Sequence, residues 1–203
     1  MTPPDSERIV VNVGCGPPDA NGLPDYFDGW KKVRVDIDLS VQPDIVADLT
    51  DLSPIGDGTA HAIWASHCIE HLYEYQVPIA LAEFRRVLCG DGFACIIVPD
   101  LQTVANYVVA DRLHEALYES PAGPVTPHDI LFGFGPAISS GHESMAHRCG
   151  FTPTMLQRAF SKVPFGEVLL RRRTAQLELV AVARVTAVAD PEERKALVDA
   201  LGL

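Results

Sequence analysis

Several features that mark large classes of protein are missing from this sequence. No apolar run approaches the ~20 residues of a membrane-spanning helix, so we expect no membrane span. The five cysteines form no C-x-x-C pair and are odd in number, which predicts a reduced, cytoplasmic chain without a disulfide framework. Residues 1–11 are polar, acidic and proline-bearing, unlike a secretory signal.

Positive charge is also scarce. The chain has 16 Lys and Arg against 27 Asp and Glu, a formal net charge of −11. A protein that follows nucleic-acid phosphates needs the opposite sign at its binding surface, so nucleic acid is disfavoured as a partner. The basic triplet at 171–173 keeps that alternative open, although such a triplet is more often a solvated hairpin turn.

What remains is an ordinary globular composition, 47% apolar and 21% charged over 203 residues. It predicts one domain across residues 1–203. Runs rich in Val and Ile between turn formers predict strands at 8–13, 33–37, 44–47, 60–65, 93–98, 165–170 and 177–185. Helical spacing of apolar residues predicts helices at 77–88 (stopping at Gly90), 103–118 and 152–160, and another that begins at Asp190.

The order of these elements predicts an α/β fold. Strands joined by helical or loop crossovers form a mostly parallel sheet that is covered on both faces. The link between the last two strands, residues 171–176, is too short for a parallel crossover, so the sheet should end in an antiparallel hairpin. Residues 119–150 are rich in proline and glycine and are expected to form a long loop or lid.

The first predicted strand ends in Gly14-Cys15-Gly16. In an open parallel sheet, ligands bind beyond the carboxyl ends of the strands, and glycine lets a ligand approach the backbone closely. A plain tight turn is the alternative. A dinucleotide site needs a third glycine that opens a helix, but Pro17 and Pro18 follow here. A smaller, less anionic ligand is therefore favoured over a pyrophosphate.

Acidic residues follow the next two strands. Asp36 lies about 20 residues after the glycine turn and suits the diol of a ribose, with Asp38 held in reserve. An exposed loop acid is the alternative. Asp48 suits the exocyclic amine of an adenine, with Leu49 packed against the ring, unless Asp48 only caps a helix or turn.

The fourth strand runs into Ala65 and Ser66, whose small side chains leave room for a ligand. His67, Glu70 and His71 follow within one helical turn. Two such histidines suggest the metal motif H-E-x-x-H, but the glutamate is misplaced and no further ligand is evident. We therefore expect no metal, and packed or capping histidines are the alternative to a functional role.

In their order, these segments resemble class I S-adenosylmethionine (SAM)-dependent methyltransferases, and more narrowly the small bacterial methyltransferase type 11-like family. The resemblance covers about residues 9–101, and residues 147–153 resemble the segment before the final hairpin. The matching segments are Val11–Gly16, Val35–Ile37, Asp44–Leu49, Ala65–Leu72, Glu83–Gly92 and Val98–Leu101.

The resemblance implies a Rossmann-like, doubly wound, seven-stranded sheet with an antiparallel last strand, and SAM as the cofactor. The sequence departs from the usual pattern of this family after Gly16. The first helix is shortened or lost there, and Pro17-Pro18-Asp19 stands instead. The methionine moiety would lie near the glycine turn and Ser66, the ribose on Asp36, and the adenine near Asp48. The implied cofactor-binding residues are Gly14, Cys15, Gly16, Asp36, Ile37, Asp48, Leu49, Ala65 and Ser66.

The implied reaction is methyl transfer to an unidentified, small-molecule acceptor, with residues 119–150 on the acceptor side. An unperturbed histidine titrates near pH ~6.5, so His67, His71, His142 and His147 are the candidate catalytic bases. Two alternatives stay open: a noncatalytic module that binds SAM or S-adenosylhomocysteine (SAH), and a nicotinamide-dependent oxidoreductase, which the missing third glycine disfavours. A homodimer also stays open.

Overall fold

The structure, a computed structural model, describes residues 8–18, 22–120 and 123–202. Most of the segment compared with a secretory signal lies outside these residues, as do Asp19 and Pro121. The strands are β1 (Ile9–Val13), β2 (Lys31–Asp36), β3 (Ile45–Val46), β4 (Ala60–Ser66), β5 (Leu88–Pro99), β6 (Tyr118–Ser120), β7 (Gly123–Val125), β8 (Glu167–Arg173) and β9 (Glu178–Arg184). The helices are α1 (Val77–Val87), α2 (Leu101–Val109), α3 (Pro127–Phe132), α4 (Gly135–Ser139), α5 (Pro153–Phe160) and α6 (Pro191–Ala200).

Seven strands form one sheet in the order β3-β2-β1-β4-β5-β9-β8. Strands β1 to β5 pair in parallel, and β9 runs antiparallel to both β5 and β8. The predicted α/β class, the mostly parallel sheet and the C-terminal hairpin are confirmed. The chain changes direction across the sheet between β1 and β4, so the carboxyl ends of these two strands border a crevice.

The sheet buries a different cluster on each face because successive strand residues point to opposite sides. Val11 and Ile63 belong to the face covered by α1 and α5. Trp64 lies on the other face, where α6 and a 3₁₀ turn at Asp25–Phe27 provide the cover. That turn is the only helical element between β1 and β2 in the described part of the chain. Its Phe27 is fully buried and lies edge-on to Trp64, with ring centroids 6.0 Å apart.

Helix α1 has the predicted apolar face, but not the predicted end. The expected stop at Gly90 is wrong because Leu88 already has extended backbone (ψ 134°) and is the first residue of β5. Thr152 and Asp190 accept hydrogen bonds from the first turns of α5 and α6, as their positions predicted. The buried residues of α1 are Val77, Ala80, Leu81, Phe84 and Val87.

The predicted helix at 103–118 is wrong in its second half. Helix α2 ends at Val109, and Asp111 then takes a left-handed conformation, with φ at 56°. The apolar spacing continues through Leu117, but this residue already leads into β6, and its amide donates to the carbonyl of Val125 at 2.8 Å.

Residues 119–150 are more ordered than a loop. Strands β6 and β7 form a separate antiparallel sheet, which was not predicted. Helices α3 and α4 and a 3₁₀ turn at Glu143–Met145 follow. Thr126 caps α3, with Asp129 bonding back to the Thr126 amide at 3.0 Å. This segment therefore packs as a small subdomain, which we call the cap segment (residues 118–149).

None of the helices in the described ranges combines the length and the apolar character that crossing a bilayer requires.

Candidate active site

The glycine turn after β1 depends on both of its glycines for different reasons. Gly14 and Gly16 have φ of 60° and 59°, a region that glycine enters without strain. A Cβ on Gly14 would lie 2.4 Å from Cβ of Cys68, so Gly14 also allows the turn to touch the loop after β4. A Cβ on Gly16 would meet nothing within 4 Å. Gly16 therefore faces open space, which a ligand can enter.

Asp36 and Asp38 play different parts, although they are two residues apart. Asp36 accepts the Gly16 amide on Oδ2 and the Asp38 amide on Oδ1, both at 2.9 Å. Asp38 instead accepts the amide of Ser40 at 2.8 Å and caps the 3₁₀ turn at Leu39–Val41. This bond with Ser40 lowers the pKa of Asp38. Only Asp36 is thus joined to the glycine turn.

Arg34 also holds this turn, although it was not predicted from the sequence. Its guanidinium donates to the carbonyl oxygens of Gly16, Val41 and Gln42 at 2.6, 3.0 and 2.7 Å. One planar side chain therefore joins the loop after β1 to the loop after β2. The sequence signal was an arginine within a β-branched strand, which is not distinctive by itself.

The end of β3 supplies the next part of the wall. Asp48 accepts both the amide and the hydroxyl of Thr50 on Oδ1, at 2.8 and 2.7 Å. The turn-capping alternative for Asp48 is therefore present, and its binding role stays a prediction. Ile37, after β2, is 57% exposed, and Leu49 is half-buried. These apolar side chains give the crevice surfaces on which a planar ring can pack.

A cleft of about 300 Å³ opens at the carboxyl ends of these strands. Of the predicted cofactor residues, Cys15, Ala65 and Ser66 do not line it, and the first two are buried in the core. Pro17, Ser144, Met145 and Arg148 also line it, although the sequence did not predict them. The predicted site residues that do line the cleft are Gly14, Gly16, Asp36, Ile37, Asp48, Leu49, His67 and His71.

His67 lies between two carboxylates in a left-handed conformation, with φ at 51°. Its Nε2 is 3.0 Å from Oε1 of Glu178, and its Nδ1 is 3.5 Å from Oε1 of Glu70. Desolvation lowers the pKa of His67, but the neighbouring carboxylates of Glu178 and Glu70 outweigh this and raise it to about 10. His67 is therefore a cation at neutral pH, which suits an acid or an electrostatic role rather than a base.

His71 and His147 face each other with ring centroids 4.9 Å apart. Nδ1 of His71 is 3.2 Å from the carbonyl oxygen of Ala146, and Nδ1 of His147 is 2.8 Å from that of Ile130. Burial lowers the pKa of His147, so its ring is neutral at pH 7. Two of the four candidate histidines thus meet beneath the cap segment.

A second cavity, of about 220 Å³, lies on the other side of these histidines. His67, His71 and Met145 line both this cavity and the cleft. Tyr118, Phe134 and other cap-segment residues close it from above. His142 lines neither space; it is exposed, and its Nδ1 is 3.1 Å from the Ser140 hydroxyl. The cap segment therefore covers the strand ends, and the second cavity adjoins the cleft.

Comparisons with known proteins agree with this arrangement. Residues 23–96 match a family model described as a methyltransferase domain. This match covers about a third of the chain and supports the predicted resemblance to class I SAM-dependent methyltransferases. SAM is the cofactor of this class of enzyme. No curated protein sequence matches the chain.

Solved structures of such enzymes share the fold of this chain. A SAM-dependent methyltransferase from Methanosarcina mazei has a TM-score of 0.59 and 14% identity, covering 91% of this chain and 95% of its own. A Burkholderia thailandensis 1,6-didemethyltoxoflavin-N1-methyltransferase, with substrate and SAH bound, has a TM-score of 0.52 and 18% identity, covering 89% and 72%. This chain also spans 47% of the citrinin polyketide synthase CMeT domain (TM-score 0.52, 14% identity, 90% of this chain).

Proposed function

We propose that the protein transfers the methyl group of SAM to a small-molecule acceptor that is held beneath the cap segment. One observation carries this proposal: the cleft at the strand ends and the second cavity share His67, His71 and Met145 as a common wall. A methyl donor and an acceptor in these two spaces would meet at that wall. The Burkholderia thailandensis enzyme, whose structure holds a small heterocyclic substrate and SAH, supports a small acceptor.

The residues of the cleft suit SAM. The open space at Gly16 leaves room beside the backbone, and the Asp36 carboxylate stands next to it for the ribose hydroxyls. The apolar surfaces of Ile37 and Leu49 suit the adenine ring, with Asp48 close by. When bound, SAM supplies a sulfonium methyl group that is already strongly electrophilic. The chain then has to align the acceptor and exclude water.

The second cavity suits a small acceptor with one polar end. Tyr118, Ile130 and Phe134 provide apolar contacts, while His147 and Asp129 provide polar ones. The Ile130 carbonyl oxygen can only accept a hydrogen bond, so Nδ1 of neutral His147 carries the proton and Nε2 keeps its lone pair. His147 is therefore the base we propose for an acceptor that loses a proton.

His67 has a different proposed part, because it is already protonated. Its positive charge faces both cavities and would stabilise negative charge that develops on an acceptor oxygen. Its alignment depends on Glu178 and Glu70, one on each side. We propose His67 as an electrostatic group rather than a base.

The noncatalytic alternative has one observation in its favour. In the described part of the chain, a single 3₁₀ turn replaces a helix between β1 and β2, so the cleft has less cover next to Gly16. A protein with this defect would bind SAH and transfer no methyl group. Binding and turnover therefore have to be measured separately.

The test is a thermal-shift comparison of SAH, NAD and ATP, followed by SAH release from SAM with panels of small phenols, amines and thiols. A ligand at 100 times its Kd stabilises the folded state by about 2.7 kcal/mol, so SAH should raise the melting temperature by several degrees. NAD and ATP should not. Failure of SAH at millimolar concentration would exclude the enzyme. A shift without turnover on any acceptor class would favour the noncatalytic module.

The same proposal includes a cytoplasmic location. All five cysteines, residues 15, 68, 89, 95 and 149, are free thiols, which fits a reducing compartment. The negative net charge supports small molecules over nucleic acid as acceptors. A homodimer stays open, and size-exclusion chromatography with light scattering would test it.

A further inference from the structure

Glu70 is a buried carboxylate with unused bonding capacity. Its side chain is 1% exposed, and neither carboxylate oxygen has a hydrogen-bond partner among the described residues. Nδ1 of His67 approaches Oε1 at 3.5 Å, an ion-pair distance without hydrogen-bond geometry, and Oε2 has no ion pair in the described structure. A buried charge normally has a bonded partner or binds a metal. Glu70 therefore has an ion-pair neighbour on one oxygen but lacks the hydrogen bonds that its burial requires.

Two histidines stand close enough to this carboxylate to share a metal ion with it. One ligand atom each from Glu70, His71 and His147 lies within 4.8 Å of the other two. Both rings point Nδ1 at a backbone carbonyl oxygen, of Ala146 and of Ile130. A metal-binding histidine almost always donates its second ring N–H in this way. In each neutral ring, the lone pair is then left on Nε2.

The charge of the surrounding cavity favours a cation. Three carboxylates line it, those of Glu70, Asp129 and Glu178, whereas His67 is its one charged base among the described lining residues. Arg173 reaches the opposite side of Glu178, with Nη1 3.6 Å from Oε2. Among the described lining residues, the carboxylates therefore outnumber the cationic groups.

We propose that Glu70, His71 and His147 bind a divalent transition-metal ion at the wall between the cleft and the second cavity. Two imidazoles and one carboxylate are a donor set for zinc, iron, cobalt or manganese, whereas magnesium and calcium prefer all-oxygen sites. Three protein ligands leave at least one coordination position for an oxygen or nitrogen atom of a ligand in the second cavity. This site does not depend on the proposed function.

The ion requires only a small contraction of the cluster. Metal–ligand bonds of about 2.1 Å hold two ligand atoms no more than about 4.2 Å apart. This distance is slightly shorter than the 4.8 Å within which the three ligand atoms lie. The backbone around the site is already tied together, because the amides of Arg148 and Cys149 both donate to the Glu70 carbonyl, at 2.9 and 3.2 Å. A bound ion would also use the His147 lone pair, so it would replace His147 as the group that activates the acceptor.

The experiment is direct measurement of metal binding by the chelator-treated, full-length protein, without SAM or an acceptor. Titration with Zn²⁺ in a calorimeter, and metal analysis after gel filtration, should give one tightly bound ion per chain. Co²⁺ should give visible absorption bands of a histidine-containing site, and Mg²⁺ should bind far more weakly. Absence of stoichiometric Zn²⁺ and Co²⁺ binding would overturn the proposal, whatever the outcome for SAH binding.

Two near-isosteric variants separate ligation from folding. His147→Asn keeps an N–H for the Ile130 carbonyl but removes Nε2, and Glu70→Gln keeps the shape but removes the charge. Loss of a bond that only supports a metal ligand weakens metal binding by ~10–100-fold. Each of these variants loses a ligand itself, so Zn²⁺ binding should weaken by more than that. His142→Asn, on an exposed histidine outside both cavities, should bind Zn²⁺ like the wild type. Wild-type affinity in folded His147→Asn and Glu70→Gln, checked by circular dichroism, would place the ion elsewhere and refute the site.

Discussion

The amide of Gly16 donates to Oδ2 of Asp36 at 2.9 Å, so the turn after β1 and the carboxylate after β2 form one bonded unit. The second oxygen of Asp36 accepts the amide of Asp38. These bonds orient both carboxylate oxygens in the cleft before a ligand arrives. They also distinguish the role of Asp36 from that of Asp38, which the sequence had left as a second candidate for the ribose.

Asp36→Ala should weaken SAH binding strongly. A hydrogen bond to a charged group contributes about 1.5–3 kcal/mol, so one lost ribose bond predicts a loss of roughly 10- to 150-fold in calorimetric titration. Asp38→Ala should lower folding stability slightly through the lost cap of the 3₁₀ turn, with SAH affinity changed little. Equal losses of affinity in the two variants would refute the assignment of the ribose to Asp36.

Gly14→Ala should destabilise the fold more than Gly16→Ala. Both substitutions force alanine into a left-handed conformation, at about 1–2 kcal/mol, but only the one at Gly14 also meets the Cys68 side chain at 2.4 Å. Urea denaturation should give Gly14→Ala the lower midpoint. Combining it with Cys68→Gly should recover part of the loss, and a strictly additive double mutant would contradict the predicted clash.

Arg34→Lys should loosen the glycine turn, because an ammonium group cannot reproduce a planar guanidinium that reaches three carbonyl oxygens. We expect a stability loss of about 1–3 kcal/mol and weaker SAH binding. Arg85→Lys is the matched control, since Arg85 bonds to the carbonyl of Pro164 away from the cleft. Unchanged SAH affinity in Arg34→Lys would show that the turn keeps its shape without the guanidinium.

Glu83 should make stability fall in acid. Its carboxylate bonds to Arg86 and to the amide of Leu52, and the bond with Arg86 in particular lowers the pKa of Glu83 below its ordinary value of 4.5. A lowered folded-state pKa contributes stability that is fully present above the unfolded value and is lost as the pH falls through the folded one. Between pH 7 and pH 3, the urea midpoint of Glu83→Gln should therefore fall less than that of the wild type. Parallel profiles would contradict this.

The parts of the site that follow strand ends were predictable. Gly14, Asp36 and Asp48 each stand at or just after the end of a strand, and the carboxyl ends of parallel strands meet at one edge of the sheet. Position in the chain is enough to bring such residues together. Cys15 shows the limit of this reasoning, because it is in the right turn but its side chain is 2% exposed, inside the core.

The parts that depend on long-range contacts were not predictable. His67 becomes a cation through Glu178, which is 111 residues away, and nothing near His67 in the sequence indicates that partner. The failure at 103–118 has a local cause instead: helical spacing continues past Asp111, but one left-handed residue turns the chain. The predicted absence of a metal relied on sequence neighbours, whereas His147 reaches Glu70 only through the folded cap segment.

Met145 has one further consequence. Its side chain borders both the space proposed for the donor and the space proposed for the acceptor, so whatever immobilises it on one side changes the freedom left on the other. The occupancies of the two spaces should then be thermodynamically linked, and the linkage must be reciprocal. The factor by which SAH alters acceptor affinity has to equal the factor by which the acceptor alters SAH affinity, and truncating Met145 to alanine should bring both factors towards one.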